Sequence, residues 1–106
     1  MLRLAGSLAA LSLAVMAAAP ASAATIEVTI KQLVFSPAQI SVKTGDTIEW
    51  VNQDFVAHTA TARDKSFDVP IPANGKGSFT VTTAGSFDYY CKLHPTMKGQ
   101  IEVTAP

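Results

Sequence analysis

The sequence has few of the features that usually stabilise a small protein, and it has no excess of one charge sign. It has a single cysteine, Cys91, so an intramolecular disulfide is excluded. Its basic and acidic residues are equal in number, 8 of each, which argues against the basic surface of a nucleic-acid-binding protein. No window carries an apolar stripe at helical spacing. A chain of this kind needs some other source of support for its fold.

No apolar run is long enough for a standard transmembrane helix, and the longest run lies near the N-terminus. Arg3 precedes an apolar run over residues 4–19, which falls short of the roughly 20 residues that a spanning helix needs. The small residues Ala21-Ser22-Ala23 follow as a cleavage motif. We therefore predict a secretory signal peptide over residues 1–23, a single mature domain over residues 24–106 and a periplasmic location.

The predicted mature chain is close to the lower size limit for an unaided hydrophobic core. Removal of residues 1–23 leaves 83 of the 106 residues. Small exported domains usually compensate for a small core with disulfides or a metal ion. Because only one cysteine is present, a bound metal is the first candidate for this support.

Alternation of apolar and polar residues dominates the mature sequence and predicts β-strands. Turn residues separate the alternating runs, and Pro70 and Pro72 mark residues 68–75 as an edge strand or a loop. We predict an all-β fold, with short strands in a sandwich or barrel. The apolar positions of the predicted strands are Ile26, Val28, Ile30, Ile40, Val42, Ile48, Trp50, Phe79, Val81, Phe87, Tyr89, Cys91, Ile101 and Val103.

The mature sequence has few soft or nitrogen metal ligands, and most of them are clustered. Cys91, His94 and Met97 form a C-x2-H-x2-M pattern, and His58 lies upstream in a stretch that reads as a loop. Taken singly, a cysteine, a methionine or a histidine is usually a packing or surface residue. Their grouping at the end of one predicted strand favours a shared metal site instead.

The softness of these ligands indicates which metal they would bind. Two imidazoles, a thiolate and a distant thioether describe a type 1, or blue, copper site. Structural zinc rarely uses methionine, and catalytic zinc usually has a carboxylate base nearby. Asp88, the nearest candidate, lies on the opposite strand face from Cys91. We therefore predict one copper ion per chain.

Two segments, "FSPAQISVKTGDTIEWVNQDFVAHTAT" and "GSFDYYCKLHPTMKGQIEV", resemble the cupredoxin family. The short spacing from cysteine to methionine is most similar to the amicyanins, since plastocyanins and pseudoazurins have a longer histidine-to-methionine spacing. The resemblance implies a Greek-key β-sandwich with type 1 copper at one end. It also implies that His58, Cys91 and His94 bind the copper in plane and that Met97 is the axial ligand.

Two residues differ from the usual pattern of these families. Thr59 stands where an asparagine usually follows the first histidine ligand and ties the two ligand loops together. We expect its hydroxyl to do part of that work. Leu93 stands where a proline usually removes one backbone N–H near the sulfur. We therefore expect the Leu93 N–H to donate to the Cys91 thiolate, in addition to the amide that follows His58.

The leading functional hypothesis is a soluble, exported one-electron carrier that cycles between Cu(II) and Cu(I) and is not an enzyme. We expect a monomer that docks transient redox partners near His94 on an apolar patch with a lysine rim. We expect neither nucleic-acid binding nor membrane insertion of the mature chain. Ordinary loop packing is an equal alternative for the patch residues. The candidates are Phe35, Phe55, Val56, Leu93, Pro95, Lys92 and Lys98.

Two other function classes stay open at this point. Storage or delivery of Cu(I) is the main alternative, because His, Cys and Met side chains also suit Cu(I). The other is an enzyme with Cys91 as nucleophile and a histidine as base, which leaves Met97 without a role. An intensely coloured Cu(II) form that cycles reversibly would separate an electron carrier from a copper-delivery protein, and a titratable free thiol after copper loading would favour the enzyme.

Overall fold

The computed structural model describes residues 23–106, which form nine β-strands. The predicted signal peptide lies almost wholly outside the described residues. No helix long and apolar enough to cross a membrane occurs within residues 23–106. The strands are β1 (Thr25–Lys31), β2 (Val34–Ser36), β3 (Gln39–Lys43), β4 (Thr47–Asn52), β5 (His58–Ala62), β6 (Asp68–Ile71), β7 (Lys76–Thr80), β8 (Gly85–Tyr90) and β9 (Lys98–Thr104).

The nine strands form two sheets around one core. One sheet has the order β2-β1-β4-β7 and the other has the order β3-β9-β8-β5-β6. The pairs β1–β4 and β3–β9 are parallel, and the other neighbours are antiparallel. The predicted all-β class and Greek-key β-sandwich are confirmed. β6 contains Pro70 and lies at a sheet edge, as proline in a strand requires.

The core is built from the apolar positions of the alternating strands. Along β1, Val28 and Ile30 are buried, whereas Glu27 and Lys31 on either side of them are exposed. Such alternation places one face of each sheet against the other sheet. The fully buried side chains with the largest volumes include Trp50, Tyr89, Phe35, Ile30, Ile48, Ile71 and Ile101.

An aromatic pair lies at the centre of this core and reaches toward the end of β8. The Trp50 Nε1–H donates to Tyr89 Oη at 3.3 Å, and the two ring centroids are 5.6 Å apart in an edge-to-face arrangement. Burial raises the pKa of Tyr89 to about 12, although the bond from Trp50 opposes the shift. This hydrogen bond satisfies the Trp50 N–H and the Tyr89 oxygen inside an apolar core.

The sequence pattern does not predict two of the strands. β2 is only three residues long, which is too short for alternation to be visible. β5 has the sequence HTATA, and all five residues are buried, so its threonines hide any apolar pattern. The expectation that His58 lies in a loop is wrong, since His58 is the first residue of β5. It pairs with Ile71 on β6.

Candidate metal centre

Three side-chain donor atoms converge where β5 begins and β8 ends. His58 Nδ1 lies 3.2 Å from His94 Nδ1. Cys91 Sγ lies 3.8 Å from His58 Nδ1 and 3.7 Å from His94 Nδ1. A point equidistant from the three atoms of this triangle is about 2.1 Å from each, within the usual range of metal–nitrogen and metal–sulfur bonds. The spacing of the three donors therefore fits one metal ion.

The orientation of His58 is fixed by a carboxylate on its far side. His58 is 1% exposed, and its Nε2 lies 2.9 Å from Asp54 Oδ2. An ionised carboxylate only accepts hydrogen bonds, so Nε2 carries the proton and Nδ1 keeps its lone pair. A partner of this kind on the second ring nitrogen is typical of histidines that bind metals.

Asp54 also closes the turn between β1 and β2. Its Oδ1 accepts the Gln32 N–H at 2.7 Å and its Oδ2 accepts the Leu33 N–H at 3.0 Å. Both turn residues have positive φ, 51° and 62°, as in the tight turns that join antiparallel strands. The Leu33 N–H is the largest cause that holds the pKa of Asp54 below its usual range, and His58 and the Gln32 N–H add to it.

Asn52 organises the loop that separates Asp54 from His58. Its Nδ2 donates to the carbonyls of Val56 at 2.8 Å and Pro72 at 3.0 Å, and its Oδ1 accepts the Asp54 N–H at 2.9 Å. Asn52 is 2% exposed, and these three bonds use most of its capacity. A buried, satisfied amide of this kind fixes the loop conformation.

Cys91 lies directly after β8 and is completely buried. Its Sγ accepts the Thr59 N–H at 3.3 Å, which is the expected bond from the residue after His58. The expected second bond from the Leu93 N–H is wrong. Among residues 23–106, Thr59 is the one backbone donor to this sulfur. The Leu93 side chain faces solvent and is 58% exposed.

Backbone hydrogen bonds close the loop from Cys91 to Met97 on itself. The Met97 N–H donates to the His94 carbonyl at 2.9 Å, and the Cys91 N–H donates to the Met97 carbonyl at 3.2 Å. Met97 is 3% exposed and belongs to the same buried cluster as Cys91. The loop is therefore a compact turn that buries its thioether residue and leaves His94 half-buried.

Thr59 connects the two segments that supply the donors. Its Oγ1 accepts the Lys92 N–H at 2.9 Å, so the expected contribution of the Thr59 hydroxyl is present. Thr59 thus reaches the cysteine loop twice, through its amide to Cys91 and through its hydroxyl to Lys92. These two bonds tie the start of β5 to the end of β8.

Exposed apolar side chains lie in the loop before His58 and in the loop that carries the half-buried His94. Phe55 is 89% exposed, Val56 is 48% exposed and Leu93 is 58% exposed. The inclusion of Phe35 among the candidates is wrong, because it is 2% exposed and packs against Tyr89. Two further exposed residues are Leu33 and Val34 on the β1–β2 turn and β2.

The two lysines expected at the rim have different environments. Lys92 Nζ lies 2.6 Å from Asp68 Oδ2, with both side chains about half exposed. Its charge is therefore paired. Lys98 is exposed at the start of β9.

Sequence reasoning did not identify Asn52 and Asp54 as site residues. Both lie in a segment that reads only as a turn, because Asn, Gln and Asp are common turn residues. The one available signal was a carboxylate close in sequence to a predicted histidine ligand, which is a frequent partner of such histidines.

The donor set and its placement define a class of site. Two imidazole nitrogens and one buried cysteine sulfur, held by a β-sandwich, are the donors of a type 1 copper centre. The chain matches the Cupredoxin-like domain over residues 4–103. It belongs to this family, and the predicted copper cofactor is confirmed.

Individual relatives agree with this assignment. Amicyanin from Paracoccus denitrificans is 30% identical over 93 residues, which is 82% of this chain and 71% of the relative. Plastocyanin from Scenedesmus fuscus is 34% identical over 85 residues, which is 67% of this chain and 87% of the relative. The chain is thus similar to blue copper proteins of the electron-transport class.

Solved structures give the same result for the fold. Amicyanin from Paracoccus versutus superimposes with a TM-score of 0.67 and 28% identity, covering 83% of this chain and 87% of that chain. A reduced Cu(I) form of an amicyanin mutant gives a TM-score of 0.67 and 29% identity, covering 76% and 82% of the two chains. The resemblance stated from the sequence is confirmed.

Proposed function

We propose that the protein carries single electrons between redox partners and that His58, Cys91, His94 and Met97 would hold one copper ion for this purpose. The observation that supports this most directly is the triangle of Nδ1, Nδ1 and Sγ atoms, with edges of 3.2 to 3.8 Å. Copper, when bound, supplies the Cu(II)/Cu(I) couple. No substrate turnover is assigned to the site.

The side chains around the triangle hold its geometry in place. Asp54 fixes the ring of His58, and the Thr59 N–H holds and partly neutralises the Cys91 sulfur. The Cys91–Met97 backbone bond closes the remaining loop. Donors that are fixed in this way move little between two oxidation states, and a small rearrangement lowers the barrier to electron transfer.

The half-buried His94 is the proposed exit for electrons. It is the donor residue with contact to solvent, and the exposed side chains of Phe55, Val56 and Leu93 belong to the loop before His58 and the loop that carries His94. A small apolar surface suits brief contacts with another redox protein. We propose that partners dock here and that Lys98, rather than the paired Lys92, supplies the free positive charge of the rim.

The electron-carrier proposal is tested by a visible absorption spectrum and a redox titration after addition of Cu(II) to the purified protein. We expect one equivalent of copper to give an intense thiolate-to-copper band that disappears and returns on reduction and reoxidation. Cys91→Ser is the control and should lose the band. A colourless protein that passes Cu(I) quickly to a chelator would instead favour copper storage or delivery.

We also propose that residues 1–23 are removed on export to the periplasm and that residues 24–106 form the mature domain. The contacts of Ala24 support this boundary. Its backbone N–H donates to Asp46 Oδ1 at 2.9 Å, and its carbonyl accepts the Thr47 N–H at 2.9 Å. Cleavage before Ala24 would turn that amide into an ammonium group beside the largely buried Asp46, which is 7% exposed.

A further inference from the structure

A closed ring of hydrogen bonds joins the cysteine loop to β5 and β6. The Lys92 N–H donates to Thr59 Oγ1 at 2.9 Å, and Thr59 Oγ1 lies 2.9 Å from Thr61 Oγ1. Thr61 Oγ1 donates to Asp68 Oδ1 at 2.8 Å. The Lys92 ammonium closes the ring by donating to Asp68 Oδ2 at 2.6 Å.

The chemistry of the four groups fixes the direction of every bond in this ring. The ionised Asp68 accepts only, so the single proton of the Thr61 hydroxyl points toward it. Thr59 must then provide the proton between the two threonines. Its oxygen is left with lone pairs for the Lys92 N–H. One surface carboxylate therefore orients two hydroxyls in series, and each bond strengthens the next.

The burial of the ring changes along its length. Thr59 is 9% exposed and Thr61 is 8% exposed, whereas the side chains of Asp68 and Lys92 are about half exposed. A buried hydroxyl without a partner is energetically costly, so the inner bonds favour one arrangement strongly. The Lys92 ammonium, followed by the Thr61 hydroxyl, holds the pKa of Asp68 below its usual range.

We propose that Thr61 and Asp68 are positioning residues for the metal centre, although neither lies among its donors. They orient the Thr59 hydroxyl, which holds the Lys92 amide between Cys91 and His94. The same Thr59 donates its own N–H to Cys91 Sγ. A change in the ring therefore reaches the sulfur by two routes. This inference is built on the proposed ligands, but its first link can be tested in the metal-free protein.

The direct test is hydrogen exchange of the Lys92 amide, measured by NMR on the purified metal-free protein. Thr61→Val keeps the side-chain shape and removes the hydroxyl. We expect it to speed exchange at Lys92 about fivefold, the factor for a hydrogen bond weakened by about 1 kcal/mol. Thr61→Ser, which keeps the hydroxyl, should restore slow exchange.

Two controls separate positioning from a general loss of stability. The Arg63 N–H, which donates to the Asp88 carbonyl between β5 and β8, should keep its exchange rate in Thr61→Val. Asp88→Asn removes an exposed carboxylate outside the ring and should leave the Lys92 amide unchanged, whereas Asp68→Asn should speed its exchange. Unchanged exchange at Lys92 in Thr61→Val, or an equal change at Arg63, would overturn the proposal.

The copper-loaded protein gives a second readout. Thr61→Val should shift the thiolate-to-copper band, and Thr61→Ser should bring it back. Because Asp68 orients the Thr61 hydroxyl and also accepts from the Lys92 ammonium, Asp68→Asn should shift the band as well. An unshifted band in Thr61→Val would refute positioning of the metal centre. Failure of the chain to bind copper at all would refute the ligand proposal instead, and the exchange result would be unaffected.

Discussion

The Asp54 carboxylate and the His58 imidazole lie 2.9 Å apart, and the same carboxylate caps the turn between β1 and β2. One side chain therefore fixes both a proposed copper ligand and an adjacent surface turn. The side chain of Asp54 is 13% exposed, so water screens this pair only partly. The Asp54 charge therefore acts on the metal centre, and the direction in which its removal changes the reduction potential can be predicted.

Asp54→Asn should raise the reduction potential by several tens of millivolts. A negative charge near the site stabilises the more positive Cu(II) form, and its removal favours Cu(I). Potentiometric titration of the copper-loaded protein measures the change. Asp88→Asn, which removes an exposed carboxylate on β8, is the matched control and should shift the potential much less. Equal shifts in the two variants would mean that Asp54 has no special coupling to His58.

Met97→Leu should keep the fold and raise the reduction potential by tens of millivolts. Leucine has nearly the volume of methionine, so the 3% exposed site tolerates it. It lacks the sulfur that we propose as the fourth copper ligand, and a weak thioether ligand would tune the potential of a blue copper site. Potentiometry and thermal unfolding of the metal-free protein separate the two effects. An unchanged potential in a folded variant would remove Met97 from the ligand set.

A chain that begins at Ala24 should be more stable than one that retains Ser22 and Ala23. The shorter chain places an ammonium group against Asp46, whereas the longer one keeps a neutral amide at 2.9 Å. Urea unfolding of the two purified metal-free chains measures the difference as a shift in midpoint. In the Asp46→Asn background the two midpoints should coincide. Mass spectrometry of the exported protein separately tests whether cleavage occurs before Ala24.

Asp46 should also make stability depend on pH in the acid range. The Ala24 N–H, followed by the Lys43 N–H, lowers the pKa of Asp46 from its usual value of 3.8. The unfolded chain then binds the proton more readily, so the stabilisation is present above pH 3.8 and is lost as the pH falls through the lowered pKa. Unfolding free energies of the wild type and Asp46→Asn should converge over this range. A constant difference would contradict the assignment.

Gly99→Ala should lower the free energy of unfolding by about 1–3 kcal/mol, the usual cost of overpacking a core. Gly99 pairs with Tyr89 between β8 and β9, and a Cβ at Gly99 would overlap the Tyr89 ring. Tyr89 is 1% exposed and has little room to move. Urea denaturation measures the cost. In a Tyr89→Leu background the same substitution should cost less, and an equal cost in both would exclude the overlap as the cause.

Much of the fold follows from the sequence because most strands bury one face. The alternation in β1, β4 and β9 is read directly from Ile26–Ile30, Ile48–Trp50 and Ile101–Val103. β5 is different because it buries threonines, whose hydroxyls hydrogen-bond to each other. A search for alternating apolar residues does not detect such a strand. The sequence therefore predicts the class of fold but misses the strand that begins with His58.

The candidate site divides in a similar way. Cys91, His94 and Met97 are close in sequence, and their side-chain chemistry alone points to copper. Asp54, Thr61 and Asp68 act through hydrogen bonds that form only when separate strands meet. Their residue types are common in turns and strands, so their roles depend on tertiary distances that a single sequence does not contain.

Trp50 gives the protein its own optical reporter. It is the single tryptophan of the chain, it is 0% exposed, and it contacts Tyr89, two residues before Cys91. Its emission should be blue-shifted in the folded protein and should move to longer wavelength on unfolding. A blue copper chromophore within the same small domain should quench it by energy transfer. Fluorescence intensity can therefore follow metal loading while emission wavelength follows folding, in one sample and without any label.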